Sequence, residues 1–559
     1  MIVIIVVLLL AGAALGVASR QPHIVFILAD DYGFNDISYH AHKNGNDTNI
    51  IDTPNLDALA AAGIKLENYY VQPVCSPTRA ALLSGRYGLH TGIHTALVDS
   101  ARGGLPLDEV LLPQLLRKVG YATYAVGKWH LGFESWAHTP LERGFDSYLG
   151  FYAGSSDYYS MQSECWPGSY KDGCFESTNK GEPVTGCDLH RGRQPICNLT
   201  SNEYSTLRFT REAIELIDRH PKDGTPMFLY LAHQAVHVGN RPLPSHPEYE
   251  LDQAPSKYID KYRFVANEQR RNLSAMVAAL DEGVGNVSAA LRANQMWHQT
   301  VMIFSTDNGG PVPEMASNFP LRGSKGTCWE GGAKGIGFVT GGSYFFGHLW
   351  SRELRVTFPR GVESHAMIHV TDWLPTLCEI AGCDGGAHPT GTKALDGVSA
   401  WQAIVNNGSS SRSEILIDLS GEVSASPAII IGAWKLVNTP AELYHLPSDP
   451  RESHNLAAGY PAKVVQMQAR LSELNQTAVP SCDRLPPDIA ADPRRHGGAW
   501  VPWRDRVTGN GCPQRQRHQL DQASPQGIKL VAASRDNADK NGGDPHRHAQ
   551  RLLVGDHNN

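Results

Sequence analysis

Four short apolar runs constrain the fold of this chain more than any other feature of its sequence. They read IVFILA after His23, TYAV from Thr123, MFLYLA from Met227 and VMIFS from Val301. Runs of this length that are apolar throughout are typical of strands buried on both faces of a parallel sheet. Each run ends abruptly in polar or charged side chains, so candidate functional groups directly follow the predicted strands.

Helical patterns lie between these runs. One begins at Thr53-Pro54, a capping residue followed by a first-turn proline, and stops at Gly63. Others start at Leu112 and Leu207. The alternation predicts an α/β fold with parallel strands. Because such folds bind ligands beyond the carboxyl ends of their strands, we expect the polar clusters to meet at one edge.

Composition divides the chain into four predicted parts. Residues 1–19 match a secretory signal peptide, with a retained membrane anchor as the alternative. Residues 20–420 carry the alternation of strands and helices. Residues 421–505 contain short strand-like stretches and one helical stretch, which predict a small C-terminal antiparallel sheet with one helix. Residues 506–559 are rich in Gln, Asn, Asp, His and Gly, so we predict a flexible polar tail.

Charge and hydropathy argue against two classes of partner. The formal net charge is -7 and the pI is near 6.4, so the basic stripe that nucleic-acid binders carry is missing. After the first nineteen residues, no apolar run reaches the length of a membrane span. We therefore expect no nucleic acid and no stable membrane span, although a basic pocket on this protein could still bind an anionic substrate.

The ten cysteines fit an oxidising compartment, where most of them should pair. One loop-like stretch is predicted to be cross-linked by disulfides among its own cysteines, which are Cys165, Cys174, Cys187 and Cys197. Further local candidates are Cys378 with Cys383 and Cys482 with Cys512. If Cys75 is reserved for chemistry, one cysteine stays free or pairs elsewhere. Secretory passage also fits six glycosylation triplets, which begin at Asn46, Asn198, Asn272, Asn286, Asn407 and Asn475.

Two of the polar clusters are pairs of oxygen ligands. Asp30-Asp31 follows the first run, and Asp307-Asn308 follows the fourth. Such hard ligands suit calcium or magnesium rather than zinc. Either pair alone would be explained as a helix cap or turn. Two pairs at two predicted strand ends favour a metal site.

The strongest local signal is the segment Cys75-Ser76-Pro77-Thr78-Arg79, which continues to Ser84-Gly85-Arg86. A structural cysteine before a helix is the alternative interpretation. The segment resembles the Cys-x-Pro-x-Arg signature of type I sulfatases, and the blocks GKWHLG from 127, FSTDNGG from 304 and LRGSK from 321 are similar to blocks of that family. The resemblance runs from His23 to about residue 505. It implies the alkaline phosphatase-like α/β fold, in which a large, mixed, mostly parallel sheet is flanked by helices, and it assigns catalysis to residues 20–420.

The resemblance also implies the site residues. Those carried over as metal ligands are Asp30, Asp31, Asp307 and Asn308, with the modified Cys75 nearby. The family metal is usually calcium, and magnesium is the alternative. Those carried over for handling sulfate and protons are Arg79, Lys128, His130, His237 and Lys325. His233 also follows a predicted strand, but we interpret it as a core or neighbouring histidine.

In the chemistry that the resemblance implies, a formylglycine-generating enzyme oxidises Cys75 to an aldehyde in the endoplasmic reticulum. One hydroxyl of the aldehyde hydrate attacks sulfur and expels the alcohol, and the other then releases sulfate. The metal and the side chains of Lys128, Lys325 and Arg79 offset charge on the sulfate oxygens. His130 is the expected base for sulfate release, and His237 with Lys325 is expected to protonate the leaving alcohol.

Within the family, the likeness is greatest to arylsulfatase B, which is N-acetylgalactosamine-4-sulfatase, and to arylsulfatases I and J. The segments that carry it are 230–237, 276–291 and 329–332. It implies a sulfated glycan containing N-acetylgalactosamine 4-sulfate, or an aryl sulfate, as substrate, and a lysosomal or secreted location. Two alternatives remain. One is a catalytically silent protein that binds sulfated glycans, and the other is a phosphodiesterase of the same superfamily.

Overall fold

Strands and helices alternate along most of the chain. The computed structural model describes residues 21–45, 51–165, 183–239, 252–342, 359–385, 393–421, 426–482 and 487–504. The strands in these ranges are β1 (His23–Ala29), β2 (Ile64–Leu66), β3 (Tyr69–Tyr70), β4 (Ala122–Lys128), β5 (Ser147–Phe151), β6 (Gln162–Cys165), β7 (Val184–Cys187), β8 (His190–Arg191), β9 (Gln194–Pro195), β10 (Met227–Ala232), β11 (Thr300–Thr306), β12 (Gly337–Gly341), β13 (Val362–Ser364), β14 (Ile368–His369), β15 (Glu414–Asp418), β16 (Ala428–Ile431), β17 (Trp434–Asn438) and β18 (Ala441–His445).

The helices confirm the predicted helical stretches and add several short ones. They are α1 (Ser38–Lys43), α2 (Pro54–Ala61), α3 (Cys75–Ser84), α4 (Gly88–Thr91), α5 (Leu112–Lys118), α6 (Ser205–Arg219), α7 (Ser256–Ile259), α8 (Glu268–Ala293), α9 (Glu330–Ala333), α10 (Trp373–Ala381), α11 (Trp401–Val405) and α12 (Pro461–Asn475). Short 3-10 helices lie at Trp136–His138, Asp260–Tyr262, Trp297–Gln299, Val312–Glu314, Val370–Asp372, Ile489–Ala491 and Pro493–His496.

The four apolar runs form four neighbouring strands at the centre of a ten-stranded sheet. The strand order is β13-β2-β12-β11-β1-β10-β4-β5-β8-β9. From β11 to β5 all neighbours are parallel, whereas β12, β8 and β9 pair antiparallel with theirs. This confirms the predicted large, mixed, mostly parallel sheet.

Both faces of the sheet are buried, as fully apolar strands require. In β1, Ile24, Phe26 and Leu28 belong to one apolar core and the alternate residues belong to another. Residues of α3, α5 and α10 contribute to the first core, and residues of α6 and α8 contribute to the second. The sheet is therefore a middle layer between two layers of helices, which leaves its strand ends to form a site.

The predicted small C-terminal sheet is also present. Strands β15 to β18 pair antiparallel in sequence order, and α12 buries Met467 and Leu471 against them. Its first strand begins at Glu414, slightly before the expected boundary at residue 421. The sheet packs directly on the main domain, since Tyr87 and Leu89 of the main domain share its apolar core.

A buried ion cluster, the Lys435 cluster, joins the small C-terminal sheet to the main domain. It consists of Lys435, Glu330, Glu452 and Tyr70. The Lys435 ammonium lies 3.0 Å from Glu330 Oε1 and 2.8 Å from Glu452 Oε1. The Tyr70 hydroxyl donates to Glu330 Oε2 at 2.9 Å, and the Glu330 amide donates to Glu452 Oε2 at 2.7 Å. All four residues are essentially inaccessible to solvent.

The cysteines largely follow the expected pattern. Disulfides join Cys187 to Cys197 and Cys378 to Cys383. Cys165 and Cys482 are also disulfide-bonded, while Cys174 and Cys512 lie outside the described residues. Among the described cysteines, Cys75 and Cys328 keep buried thiols.

The structure tests the remaining sequence predictions only in part. The predicted signal peptide (1–19), the polar tail (506–559) and Asn46 lie outside the described residues. Asn272 is buried within α8, so its triplet is inaccessible in the folded protein. The acceptors at Asn198, Asn286, Asn407 and Asn475 are exposed, and their glycosylation stays a prediction. Within the described ranges, no helix has the length and apolar character needed to cross a membrane.

Candidate active site

The two predicted ligand pairs meet at the carboxyl edge of the central sheet. Asp30-Asp31 and Asp307-Asn308 follow β1 and β11, which are parallel neighbours. The Asp307 amide donates to the Ala29 carbonyl at 3.0 Å, and the Asp31 amide donates to Asp307 Oδ1 at 3.2 Å. Asn308 Nδ2 donates to Asp31 Oδ1 at 2.7 Å. Adjacent parallel strand ends thus bring together residues that are far apart in the sequence.

Two oxygens of this group are left without hydrogen-bond donors. Asp30 Oδ1 and Asn308 Oδ1 are buried and have no partner among the described residues. Ligand atoms of Asp30, Asp31 and His237 lie within 4.8 Å of one another. Burying acceptors without donors is unfavourable, and a hard cation would satisfy these oxygens. The donor set therefore fits a divalent metal.

The electrostatics of the two strand-end carboxylates also favour added positive charge. Burial and the charge of Asp30 raise the pKa of Asp307 well above its usual value, although Arg79 opposes this. Burial would also raise the pKa of Asp30, but Lys128, His237 and Arg79 outweigh it and lower that pKa. Two buried carboxylates this close ionise together only when more cationic charge is present.

Cys75 is the first residue of α3, and its side chain is buried. The helix starts after Val74 in extended conformation, tolerates Pro77 in its first turn and ends at left-handed Gly85, whose φ is 69°. Only 2% of Cys75 is accessible to solvent. The partial positive charge of a helix N-terminus favours an anion at this position.

Two cations from different elements hold the strand-end carboxylates. Arg79, one turn after Cys75 on α3, donates through Nη2 to Asp30 Oδ2 at 3.2 Å and to Asp307 Oδ2 at 2.9 Å. Its Nη1 donates to the carbonyl of Lys128 at 3.2 Å. The Lys128 ammonium, at the end of β4, bonds Asp30 Oδ2. Arg79 and Lys128 are both buried, so these charges are desolvated and mutually compensated.

Lys325 reaches the site from a loop after β11. Its ammonium donates to Asp31 Oδ2 at 2.7 Å. Its amide donates to the Gly310 carbonyl at 3.2 Å, and the next amide, of Gly326, donates to the Pro73 carbonyl at 2.9 Å. The loop is therefore fastened both to the strand end that carries Asp307 and to the segment before Cys75.

His237 lies on the same side as Lys325. Its Nδ1 is 2.7 Å from the Val238 carbonyl, so Nδ1 carries the proton and Nε2 faces Asp31 Oδ2 at 3.6 Å. Burial and Lys325 lower the pKa of His237 to about 4, against the opposing charge of Asp31. Burial would lower the pKa of Lys325, but Asp31 and Cys75 outweigh it and raise that pKa well above its usual value. Near neutrality, Lys325 carries the charge and His237 is neutral.

His130 follows β4 in a left-handed conformation, with φ of 54°. Its amide donates to the Tyr152 carbonyl at 3.1 Å, and its Nε2 lies 2.8 Å from the Leu97 carbonyl. A carbonyl only accepts, so Nε2 carries the proton and Nδ1 is the basic nitrogen. Among the described residues, Nδ1 has no partner. Burial and Lys128 lower the pKa of His130 well below its usual value, so it is a neutral imidazole.

The sequence did not reveal the residues that hold His130. Ser76 Oγ donates to the His130 carbonyl at 2.9 Å and accepts from the Leu97 amide at 3.2 Å. Ser76 occupies the variable position after Cys75 in the Cys-x-Pro-x-Arg motif, so the motif itself assigns it no role. Leu97 acts through its backbone, which no side-chain pattern can indicate.

All the sequence-predicted site residues lie at this edge, and His233 lies apart from their charges. It is buried, and its two ring nitrogens have no partner among the described residues. Burial alone lowers its pKa to about 3. This agrees with its interpretation as a core histidine.

Comparison with known proteins decides the family. The Sulfatase family model matches residues 22–383. The chain belongs to the sulfatase family. This sulfatase is similar to arylsulfatase J of Mus musculus, with 36% identity over 88% of the chain and 81% of that protein. It also matches arylsulfatase A of Homo sapiens, with 28% identity over 84% of the chain and 89% of that protein.

Other relatives agree with this assignment. N-acetylgalactosamine-6-sulfatase of Sus scrofa is 29% identical over 71% of the chain and 69% of that protein. The crystal structure of Ps i-CgsB superposes with a TM-score of 0.68 at 27% identity, over 86% of the chain and 98% of that structure. The same protein has been crystallised in complex with k-i-k-neocarrahexaose. The sulfatase is therefore a sulfuric ester hydrolase with the predicted fold.

Proposed function

We propose that this sulfatase cleaves sulfate esters with a formylglycine made from Cys75, beside a calcium ion held by Asp30, Asp31, Asp307 and Asn308. The observation that carries the proposal is the pair of orphaned buried oxygens on Asp30 and Asn308. They lie in the carboxylate group that Arg79, one turn after Cys75, holds together. Magnesium is the alternative metal, since the same hard oxygens suit it.

The proposed groups supply what the side chains cannot. The hydrated aldehyde offers one hydroxyl to attack sulfur and a second whose deprotonation frees sulfate, while the metal polarises the sulfate oxygens. The chain supplies the surrounding charge. The ammonium groups of Lys128 and Lys325 and the N-terminus of α3 favour an anion beside Cys75. The contacts of Arg79 give it the further task of orienting Asp30 and Asp307.

The histidines have separate proposed tasks. Nδ1 of His130 is basic and unpartnered, which suits it to accept the proton whose removal releases sulfate. Nε2 of His237 faces Asp31 and Lys325. Because Lys325 carries the charge near neutrality, it is the better proton source for the leaving alcohol, with His237 as its partner.

The proposed substrate is a sulfated glycan that contains N-acetylgalactosamine 4-sulfate, or an aryl sulfate. The names of the similar arylsulfatases and N-acetylgalactosamine sulfatase support this substrate class. We further propose that residues 20–420 carry catalysis and that the chain enters the secretory pathway behind residues 1–19. There it would meet the formylglycine-generating enzyme and become lysosomal or secreted. The two described disulfides support an oxidising compartment.

The test combines mass spectrometry with kinetics. The peptide that spans Cys75 is expected to carry the aldehyde, and Cys75→Ala is expected to fold normally and lose turnover of 4-methylumbelliferyl sulfate. Cys328→Ala is the matched control, because it removes the other buried thiol and should keep turnover. An unmodified thiol with retained binding of sulfated glycans would favour a silent binder. Faster cleavage of a phosphodiester than of any sulfate ester would favour the phosphodiesterase alternative.

A further inference from the structure

The segment between α4 and α5 forms one wall beside His130. The Leu97 carbonyl accepts from His130 Nε2. Two residues later, Asp99 Oδ1 accepts from the amide of Gly154 at 3.3 Å. A Cβ on Gly154 would lie 2.8 Å from His130 Nε2, so the Gly154 backbone packs directly against the imidazole. Asp99 is therefore held next to a residue of the proposed site.

Asp99 borders a small cavity on this wall. It lines this cavity together with Leu97, Val98, His130, Phe133 and Tyr152. It is only partly exposed, as are His237 and Lys325. Its second carboxyl oxygen, Oδ2, meets no hydrogen-bond donor or cation among the described residues. The proposed mechanism gives it no task.

The chemistry of Asp99 is opposite to that of its surroundings. Burial and the charge of Asp188 raise its pKa to about 8. The groups around it that suit sulfate are cations, whereas a charged carboxylate repels sulfate and a neutral carboxyl offers it only a single uncharged donor. In either form it can bind a hydroxyl or an amide. Asp99 is therefore better suited to a polar, uncharged group of the sulfated molecule than to its sulfate.

We propose that Asp99 determines substrate specificity by hydrogen-bonding a hydroxyl or amide group of the sugar that carries the sulfate. This inference rests on the proposed function. An aryl sulfate has no such group beside its sulfate, so it gains nothing from Asp99. A site that hydrogen-bonds a substrate group discriminates strongly against analogues that lack it.

The test compares substrates with and without hydroxyls. Wild type, Asp99→Ala and Asp99→Asn are assayed with N-acetylgalactosamine 4-sulfate, N-acetylgalactosamine 6-sulfate and 4-methylumbelliferyl sulfate. For Asp99→Ala we expect kcat/KM on the preferred sugar sulfate to fall about 10- to 100-fold, chiefly through KM. Turnover of the aryl sulfate should change less than about threefold. Asp99→Asn keeps an acceptor for the Gly154 amide and should lose less than Asp99→Ala.

The control is Asp223→Ala, which removes an exposed carboxylate before β10 at the opposite end of the strands. Its preference among the three substrates should match wild type. An equal loss on sugar and aryl substrates would overturn the proposal, because Asp99 would then only support His130. Unchanged kinetics on both, or a wild type that cleaves only the aryl sulfate, would also overturn it. A wild type inactive on all three would contradict the proposed function itself.

Discussion

The molecule contains two buried clusters of carboxylates and cations. One is the candidate active site, and the other is the Lys435 cluster, which has a structural role. In the Lys435 cluster, one lysine lies between two glutamates, and Tyr70 and a backbone amide add further donors. At the carboxyl edge, three aspartates meet Arg79, Lys128 and Lys325. Yet oxygens of Asp30 and Asn308 there remain without donors.

Burial of charge alone therefore does not identify a functional site. A buried ion pair whose groups are all engaged serves packing and specificity of the fold. Leftover acceptors, beside the proposed nucleophile Cys75 and an unpartnered His130 Nδ1, indicate that something else binds there. The following experiments, in order of decreasing effect, test this distinction.

The largest effect is expected from Asp307→Asn. It removes a carboxylate from the proposed metal site, so turnover of 4-methylumbelliferyl sulfate should fall at least about 10⁴-fold. The matched control is Asp281→Asn, which alters a buried carboxylate that caps α2 through the amides of Asn55 and Leu56. Its turnover per folded molecule should stay near wild type. Similar losses in both variants would mean that any buried aspartate matters equally.

The second effect concerns the Lys435 cluster. Lys435→Met leaves Glu330 and Glu452 buried without their cation, so the free energy of unfolding should fall by about 3 to 5 kcal/mol. Denaturant unfolding measures it. Lys43→Met, which removes a half-exposed lysine from two ion pairs, should change the same quantity by less than about 1 kcal/mol. A Lys435→Met protein as stable as wild type would contradict the structural role of the cluster.

Metal binding should stabilise one cluster only. Calcium added to metal-stripped protein at a hundred times its dissociation constant should raise the free energy of unfolding by about 2.7 kcal/mol. Thermal unfolding without substrate reports this independently of activity. The Asp307→Asn protein should show no such gain, whereas Lys435→Met should show the full gain. Stabilisation of Asp307→Asn by calcium would place the metal elsewhere.

The smallest effect concerns His233, a buried polar group with no ionic partner. Its pKa is lowered to about 3 in the folded protein, against about 6.5 when unfolded. The unfolded chain therefore binds a proton first, and stability is lost as pH falls from 6.5 towards 3. From pH 7 to 5 this amounts to about 2 kcal/mol. His233→Phe should lose that much less stability over the same range.

The control for this pH effect is an exposed histidine. His454, whose side chain is 83% exposed, should leave the pH dependence unchanged when it is replaced by Phe. If His233→Phe and wild type lose stability in parallel between pH 7 and 5, then His233 is protonated in the folded protein. It would then need an anionic partner.

The central strands could be predicted because burial on both faces leaves an uninterrupted apolar run. β1, β10 and β11 are fully buried, and the proposed metal ligands directly follow β1 and β11. The strands on the far side of β11 gave no such signal. β2 has only three residues, and β12 contains glycine and threonine, which interrupt an apolar pattern although most of the strand is buried. Tertiary packing rather than local pattern decides these strands.

The site was predictable where the type of a residue itself indicates its chemical role. Aspartates after strands, a cysteine motif and a Lys-Trp-His block all met at one edge. What could not be predicted were contacts made by the backbone or by residues in irregular loops. The Leu97 carbonyl, which fixes the proton of His130, and Asp99, which binds the Gly154 amide, belong to this class. No periodicity relates such residues to their partners.

The order of strands in the central sheet has a consequence for synthesis. β1 is made first, yet its partner β11 follows much later, and Arg79 meets Asp307 across 228 residues. At about 5 to 20 residues per second, a ribosome needs on the order of 10 to 50 seconds to bridge that gap. Throughout this interval the helix that begins at Cys75 lacks the strand end that later encloses it. The nascent chain thus exposes its thiol during the period in which the proposed oxidation has to occur.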